Sequence, residues 1–402
     1  MNTAQAGSGA WFRLATAAAA AAITLTACGS SNTPGGSTAA PPPTANMKPQ
    51  TTIGPGEGQL NLIAWEGYTD TSWVKPFTTA TGCKVNAKYA GSSDEMVTLM
   101  AGGGGGQWDM VSASGDADLR LIYGGDVRPM NPDLIPDFGD FQTFFKTPSY
   151  NTINGIHYGI SLQWGPNVLL YNTQKYPNKP TSWGILYDQA NKGLITVPDN
   201  PIQIADAALY LMTTQKNLGI TDPYELTQKQ FDAAITLLKS QRPLIKKYWA
   251  LAGDEIQLFQ NGDVQVGAAW PYQTITLQGG KNGKNFADTI PAEGATGWGD
   301  TWMLATNAPH PNCAYLWTKW VSTPLVQAEQ ALFFGETPVN TKACQQMEKL
   351  QAGSCAQYHA DAPGSYFDTI KFWKTPIATC DDGSKNCIPY SQWQNAWTTV
   401  TA

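Results

Sequence analysis

Three side chains alternate along one short stretch: Trp298, Asp300 and Trp302 in "ATGWGDTWMLA". On an extended strand, positions two apart point to the same face, so these three share one. A carboxylate between two indoles is costly to bury unless a cation meets it. The trio therefore suits an ammonium group, whose charge would pair with Asp300 while its methylenes and charge face the rings. The competing account is a partly exposed Asp beside two core tryptophans. Two further stretches carry rings out of strand-like runs. "QLNLIAWEGYTD" ends in Trp65, Glu66 and Tyr68, and "GAAWPY" ends in Trp270 and Tyr272, with Pro271 stopping further pairing.

Such side chains need a frame, and from residue 58 onward strand-like and helix-like stretches alternate. "QLNLIAW" reads as a strand, "DTSWVKPFTTATG" as a helix ending at Gly82, and "CKVNAKYA" as the next strand. "SSDEMVTLMAGG" offers Ser92 as a cap and opens a helix at Glu95 and Met96. "QWDMVSAS" returns to a strand and "DADLRLIYGGDV" to a short helix. "LTQKQFDAAITLLKSQRP" has the capping-box spacing at Thr227 and Gln230, with Phe231, Ala234, Ile235 and Leu238 on one apolar face. "DVQVGAAW" is again a strand. The alternation predicts an α/β fold. In such sheets ligands bind where strand carboxyl ends meet loops, often between domains, and Trp65 falls at such an end.

The 402 residues suffice for two domains with sizeable cores. Hydrophobic residues make up 42% and charged residues 14%, the balance of a folded, exported chain. A formal charge of −6 argues against a nucleic-acid partner, which needs clustered Lys and Arg. With 15 Trp and 16 Tyr against three His, recognition by stacking is favoured over acid–base or metal chemistry, and no metal or cofactor is expected. There is no Gly-x-Ser-x-Gly elbow for a serine hydrolase. The five glycines at 102–106 lack the Gly-Lys-Ser/Thr of a phosphate loop and read as a helix-to-strand connection.

Residues 14–27, "LATAAAAAAITLTA", follow Arg13 and fit the apolar region of a secretion signal, being too short to span a bilayer comfortably. They run into "LTAC", which resembles the lipobox of bacterial lipoproteins. That resemblance implies removal of residues 1–27 and acylation of Cys28, whose chains would anchor the protein to a membrane. Residues 28–57, rich in Ser, Gly, Pro and Thr, read as a disordered tether. The six remaining cysteines, an even number in an exported chain, suggest disulfides, and spacing alone permits 15 connectivities. Cys344–Cys355 and Cys380–Cys387 would close short loops, leaving Cys83–Cys313 to join distant segments.

"AWEGYTD", "FTTATGCKVN", "YGISLQWGPNVLLYNT", "PTSWGILYD", "ADAALYLM", "AAWPY", "EGATGWGDTWMLA" and "GETPVN" stand in this order in the chain. Together they resemble the extracellular solute-binding proteins of ABC importers, most nearly the spermidine/putrescine-binding branch, over roughly residues 58–345. The resemblance implies a two-lobe periplasmic-binding-protein-like fold of type II with the ligand cleft between lobes. Lobe one would comprise 58–164 plus 299–345 and lobe two 165–298 plus 346–402. Gln163–Gly165 and Trp298–Asp300 would form the hinge crossings.

Carried over position by position, the resemblance implies that Trp65, Tyr68, Trp270, Trp298 and Asp300 bind ligand. The acid usual between the first Trp and Tyr is Gly67 here, with Glu66 one place earlier. Two second-lobe acids of the family correspond to Asn200 and Gln203, or to Asp199 under a one-residue shift, and two cleft tyrosines correspond to Asp116 and Glu336. The aromatic set is kept and the carboxylates are rearranged. The implied function is capture of a polyamine or related cationic amine outside the membrane, without catalysis, by a lipid-anchored monomer that delivers it to ABC permease subunits. The alternative is a carbohydrate or other small polar metabolite stacked on the same rings.

Overall fold

The computed structural model describes residues 41–402 except Pro363 and Asp381. The expected signal at 1–27 and Cys28 lie outside the described residues.

Local signals in the chain build the first elements. Strand β1 (Gln59–Ala64) buries alternate side chains and then a continuous run. Helix α1 (Thr71–Thr81) opens where the Asp70 carboxylate accepts the Ser72 N–H and closes at Gly82 in the left-handed conformation. Strand β2 (Lys84–Tyr89) and helix α2 (Ser93–Met100) follow, the helix capped by Ser92, whose hydroxyl accepts the Glu95 N–H. Strand β3 (Met110–Ser114) is wholly buried and runs straight into α3 (Gly115–Gly124). β1 pairs in parallel with β2 on one side and β3 on the other.

The chain then builds two sheets. Strand β4 (Gly159–Pro166) belongs to the first, and β5 (Val168–Asn172), one residue later, to the second. The second sheet adds β6 (Ile195–Pro198), helix α4 (Gln203–Thr214), helix α5 (Gln228–Gln241), β7 (Ile245–Trp249), helix α6 (Ala252–Asn261), β8 (Val266–Ala269), helix α7 (Pro271–Gly279) and β9 (Phe286–Thr289). Its strand order is β9-β5-β8-β6-β7. The capping box expected at α5 is present, with the Thr227 N–H donating to Gln230 Oε1 at 2.8 Å. Strand β10 (Ala295–Leu304) returns to the first sheet, followed by helices α8 (Pro311–Val321) and α9 (Pro324–Phe334), strand β11 (Thr337–Pro338), helix α10 (Ala343–Leu350), strand β12 (Ile370–Phe372) and helix α11 (Tyr390–Thr401). The first sheet has the order β11-β4-β10-β3-β1-β2, with β12 on the opening residues of β10. This is the α/β architecture expected from the alternating pattern, arranged as the two lobes that the family resemblance implies.

Three expected boundaries differ from the structure. Residues 41–57 are not a free tether. Thr44 is buried and donates to Val127 O at 2.8 Å, and Glu57 accepts the N–H groups of Asn312 and Cys313, both at 2.9 Å. The segment is held mostly by polar contacts, with Pro42 its only buried apolar residue and Ile53 packed on the core, so a composition test for core residues misses it. Gln163–Gly165 and Trp298–Asp300 are not crossing points but lie inside the β4–β10 ladder, paired 163 to 300, 164 to 299 and 165 to 298. The chain passes between sheets at Asn167 and again between Thr289 and Ala295. Asn167 pins the two passages together, donating its N–H to Thr296 O and its Nδ2 to Thr296 Oγ1 at 2.8 and 2.7 Å. The tail after 346 is not confined to one lobe: β12 pairs with β10 of the first sheet, whereas α11 packs on α5 beside the second. A three-residue strand completes the open edge of β10 there, which a short apolar run does not announce.

All three expected disulfides are present: Cys83–Cys313, Cys344–Cys355 and Cys380–Cys387.

Candidate functional site

A cleft opens where strand ends of the two sheets face each other. From the first sheet come Trp65, Glu66 and Tyr68 beyond β1, Ser114 at the end of β3, and Asp300 within β10. Phe334 at the end of α9, Glu336 just before β11, and Trp373, just past β12, complete that wall. The second sheet supplies Ala250, Leu251 and Ala252 beyond β7 and Trp270 and Tyr272 beyond β8. Strand ends facing across two sheets match the general rule for ligand sites in α/β proteins. The cavity itself is narrow, about 60 Å³.

A tight turn sets the first-sheet rings. The Tyr68 N–H donates to Trp65 O at 3.2 Å, and the Trp73 indole N–H donates back to Tyr68 O at 3.0 Å. Gly67 sits between them at φ +94°, where a Cβ would come within 2.9 Å of the Phe334 ring. A side chain at this position, acidic or otherwise, is therefore excluded by both backbone and packing. Tyr68 lies edge-on to Phe334 at 5.1 Å. Across the cleft, Trp65 meets Trp270 edge-to-face with centroids 6.1 Å apart, and Trp249 holds Trp270 from behind at 4.8 Å. Leu251 reaches toward Gly91 on the opposite rim.

Asp300 is the chemical centre. It is 2% exposed, and both its oxygens accept short hydrogen bonds, Oδ2 from the Tyr68 hydroxyl and Oδ1 from Ser114 Oγ. Burial pushes its carboxyl up to about 7; the two hydroxyl donors oppose the shift and nearby Asp116 adds to it. Glu336, 5% exposed, is raised well above the usual carboxylate range by burial and by the charge of Asp300, and its Oε2 has no hydrogen-bond partner. No Lys or Arg among the described residues pairs with either acid. The indole N–H groups of Trp65, Trp270, Trp298 and Trp373 are also buried without a partner, donors that a ligand would satisfy.

Seven of the eight expected site residues line this one cleft: Trp65, Glu66, Tyr68, Trp270 and Trp298 with the acids Asp300 and Glu336. Glu66 is exposed at the rim. Asp116 does not line it. It lies in the first turn of α3, fully buried, accepting from Ser93 Oγ at 2.8 Å beside Arg120, with burial raising it to about 6. The helix start directs the side chain behind the sheet end, where it acts on the cleft only through its charge. Trp302 shares the face of Asp300 but lies beneath Tyr68 (6.4 Å) and against Trp317 (5.7 Å), so it backs the cleft without lining it. Asn200, Gln203 and Asp199 are occupied elsewhere: Asn200 Oδ1 accepts from Ile202 N, Gln203 donates to Asp206, and Asp199 accepts from Trp397 Nε1.

Sequence reasoning missed Ser114, Leu251, Phe334 and Trp373 as cleft residues. Ser114 is opposite Asp300 in the β3–β10 register, a relation visible only once the antiparallel pairing is known. Trp373 enters because its N–H donates to Gly297 O at 2.7 Å, an extension of the β12 pairing.

Two lobes that meet in a cleft of rings and buried carboxylates define a ligand-binding protein of the periplasmic-binding-protein type. Residues 72–355 match the family described as bacterial extracellular solute-binding protein, and the chain belongs to that family. It is 24% identical over 334 residues to the putrescine/agmatine-binding protein of Pseudomonas aeruginosa, covering 77% of this chain and 88% of that relative. It is also 24% identical over 291 residues to the putrescine-binding periplasmic protein PotF of Escherichia coli, covering 69% and 76%. A putative spermidine/putrescine ABC transporter structure from Listeria monocytogenes superposes with a TM-score of 0.71 at 19% identity, over 85% of this chain and 98% of that one. The protein is thus an extracellular solute-binding protein that takes a small molecule as its ligand, and not an enzyme.

Proposed function

We propose that the solute is a polyamine or related cationic amine, with Asp300 as its counter-ion and Trp65, Tyr68, Trp270 and Trp298 as its walls. The observation that carries this reading is a carboxylate 2% exposed, set among indoles, with no cation of the described residues against it. Such a group favours a positively charged ligand, since the ion pair offsets the desolvation that otherwise keeps the acid protonated. The binding named for the curated relatives, putrescine with agmatine or putrescine alone, supports the same chemistry. Glu336 shares the cationic head, and Glu66 stands at the entrance.

Titration calorimetry against alkylamines, quaternary amines, amino acids and oligosaccharides tests the reading. Heat from cationic amines alone is the expected result. Binding of neutral sugars alone would make the ring-lined cleft a carbohydrate platform.

The protein acts as a monomer anchored through an acylated Cys28. The "LTAC" sequence after an apolar run supports the anchor. Cys28→Ala is expected to release the protein from membranes or leave it unprocessed, read by fractionation and intact mass. Unchanged membrane retention with a correctly cleaved chain would count against it.

A further inference from the structure

Resting on the cationic reading, we propose that the ligand carries its positive charge at one end only. An ammonium or guanidinium head sits between Asp300 and Glu336, and an uncharged, largely apolar remainder runs between Trp65, Trp270 and Leu251. The basis is an asymmetry of the cleft. Every carboxylate on its lining, Asp300, Glu336 and Glu66, comes from the first sheet and the segments packed on it. The second sheet offers Ala250, Leu251, Ala252, Trp270 and Tyr272, none of them charged at neutral pH.

Acids of the second lobe lie close in sequence to these residues but do not line the cleft. Asp254 is 4.0 Å from Lys247 at the surface. Glu255 is buried off the cleft lining, its Oε2 accepting from Gln273 Nε2 at 3.2 Å and its Oε1 unpartnered, and Asp199 accepts from the Trp397 indole at 2.8 Å. The position beside Trp65 where a further acid would face the cleft is Gly67, and the Phe334 ring denies it any side chain. A second ammonium at the far end of the ligand would therefore lose water against indole, leucine and alanine surface, and the carboxylate beside Trp65, Glu66, is exposed at the rim, where an ion pair is worth little. Cation–π contact with Trp65 or Trp270 is the weaker of the two effects and does not restore that loss. The first-sheet pair also carries little charge of its own to share. Burial and the charge of Asp300 both disfavour ionisation of Glu336, so one incoming cation neutralises what the two acids together present.

The test compares ligands of equal length that differ only in the second charge: hexylamine against 1,6-diaminohexane, and butylamine against putrescine, by calorimetry on the wild-type protein. The expected result is at least tenfold tighter binding of the monoamine in each pair. A diamine that binds as tightly as its monoamine or more tightly overturns this inference and leaves the cationic reading standing. Failure of all four amines beside binding of a neutral solute overturns both. A gain-of-function variant gives an independent arm. Leu251 is 45% exposed at the rim, so Leu251→Asp changes the surface without disturbing the core. It is expected to move the preference at least tenfold toward the diamines, and an unchanged preference in the folded variant counts against the proposed placement of the tail.

Discussion

At the scale of single residues, Asp300 ties binding to pH and to stability. An unfolded Asp ionises near 3.8, whereas the folded group is raised to about 7, chiefly by burial. Between those values the unfolded chain has lost a proton that the folded chain keeps. Unliganded stability therefore falls as pH rises from about 4 to about 7, and the penalty is complete above 7. Asp300→Asn removes that penalty and removes the counter-ion. The variant should melt higher than wild type at pH 8 without ligand, yet bind a cationic amine more than about tenfold more weakly, a loss of about 1.4 kcal/mol or more. For the wild type, amine affinity should increase with pH through about 7 as the carboxylate becomes available. Differential scanning fluorimetry and calorimetry across pH 5–8 read both. Affinity that is flat over this range would show that Asp300 does not meet the ligand's charge. Gly67 gives a second residue-scale prediction. Gly67→Ala places a Cβ at positive φ and against the Phe334 ring, so it should destabilise by more than about 1 kcal/mol in chemical denaturation.

At the scale of elements, the segment before β1 behaves as a clasp on α8. Glu57 accepts the N–H groups of Asn312 and Cys313 at the helix start, and Asn312 Nδ2 as well, at 2.7 Å. Its partial burial raises the carboxyl, but the N–H donors outweigh this and hold it below the usual value. The sign follows: the contribution is present above the ordinary carboxylate range and is lost as pH falls through the lowered value. Glu57→Ala should cost about 1 kcal/mol, the usual worth of a helix cap, with most of the difference from wild type gone in acid. Amide hydrogen exchange at Asn312 and Cys313 would localise it. Exchange unchanged at these amides would mean that the clasp does not hold the helix start.

At the scale of the whole molecule, the two sheets touch through rings, Trp65 on Trp270 and Tyr272 beside Phe334. Closure of this kind on a bound solute predicts a smaller radius of gyration with ligand than without, measured by solution scattering. It also predicts a rising melting temperature, with about 2.7 kcal/mol of stabilisation at a hundred times Kd. An invariant radius would mean that this closed arrangement is already the resting state. The Cys83–Cys313 bond joins the start of β2 to α8 over a separation of 230 residues. A loop of that length is worth about 5 kcal/mol in the chain-entropy account. Replacing both cysteines by Ala should therefore lower stability by several kcal/mol while leaving the cleft residues in place.

The elements and their kind were legible in the sequence because the signals are local: Asp70 and Ser92 as caps, Gly82 as a stop, the Thr227/Gln230 box, and two-residue alternation in "GWGDTW". Ordered motifs spread over most of the chain were enough to indicate the family, and hence the cleft with Asp300 and its tryptophans. Three things were decided only in three dimensions. Asp116 turned behind the sheet because a helix begins one residue before it. Trp302, on the correct face, was covered by Tyr68 and Trp317. The charge asymmetry of the cleft arose because the second lobe's acids stand off its lining, Asp199 turned to Trp397 and Glu255 to Gln273. Periodicity tells which face a side chain takes. Which neighbour covers that face depends on contacts between residues hundreds of positions apart, and one sequence carries no local record of them.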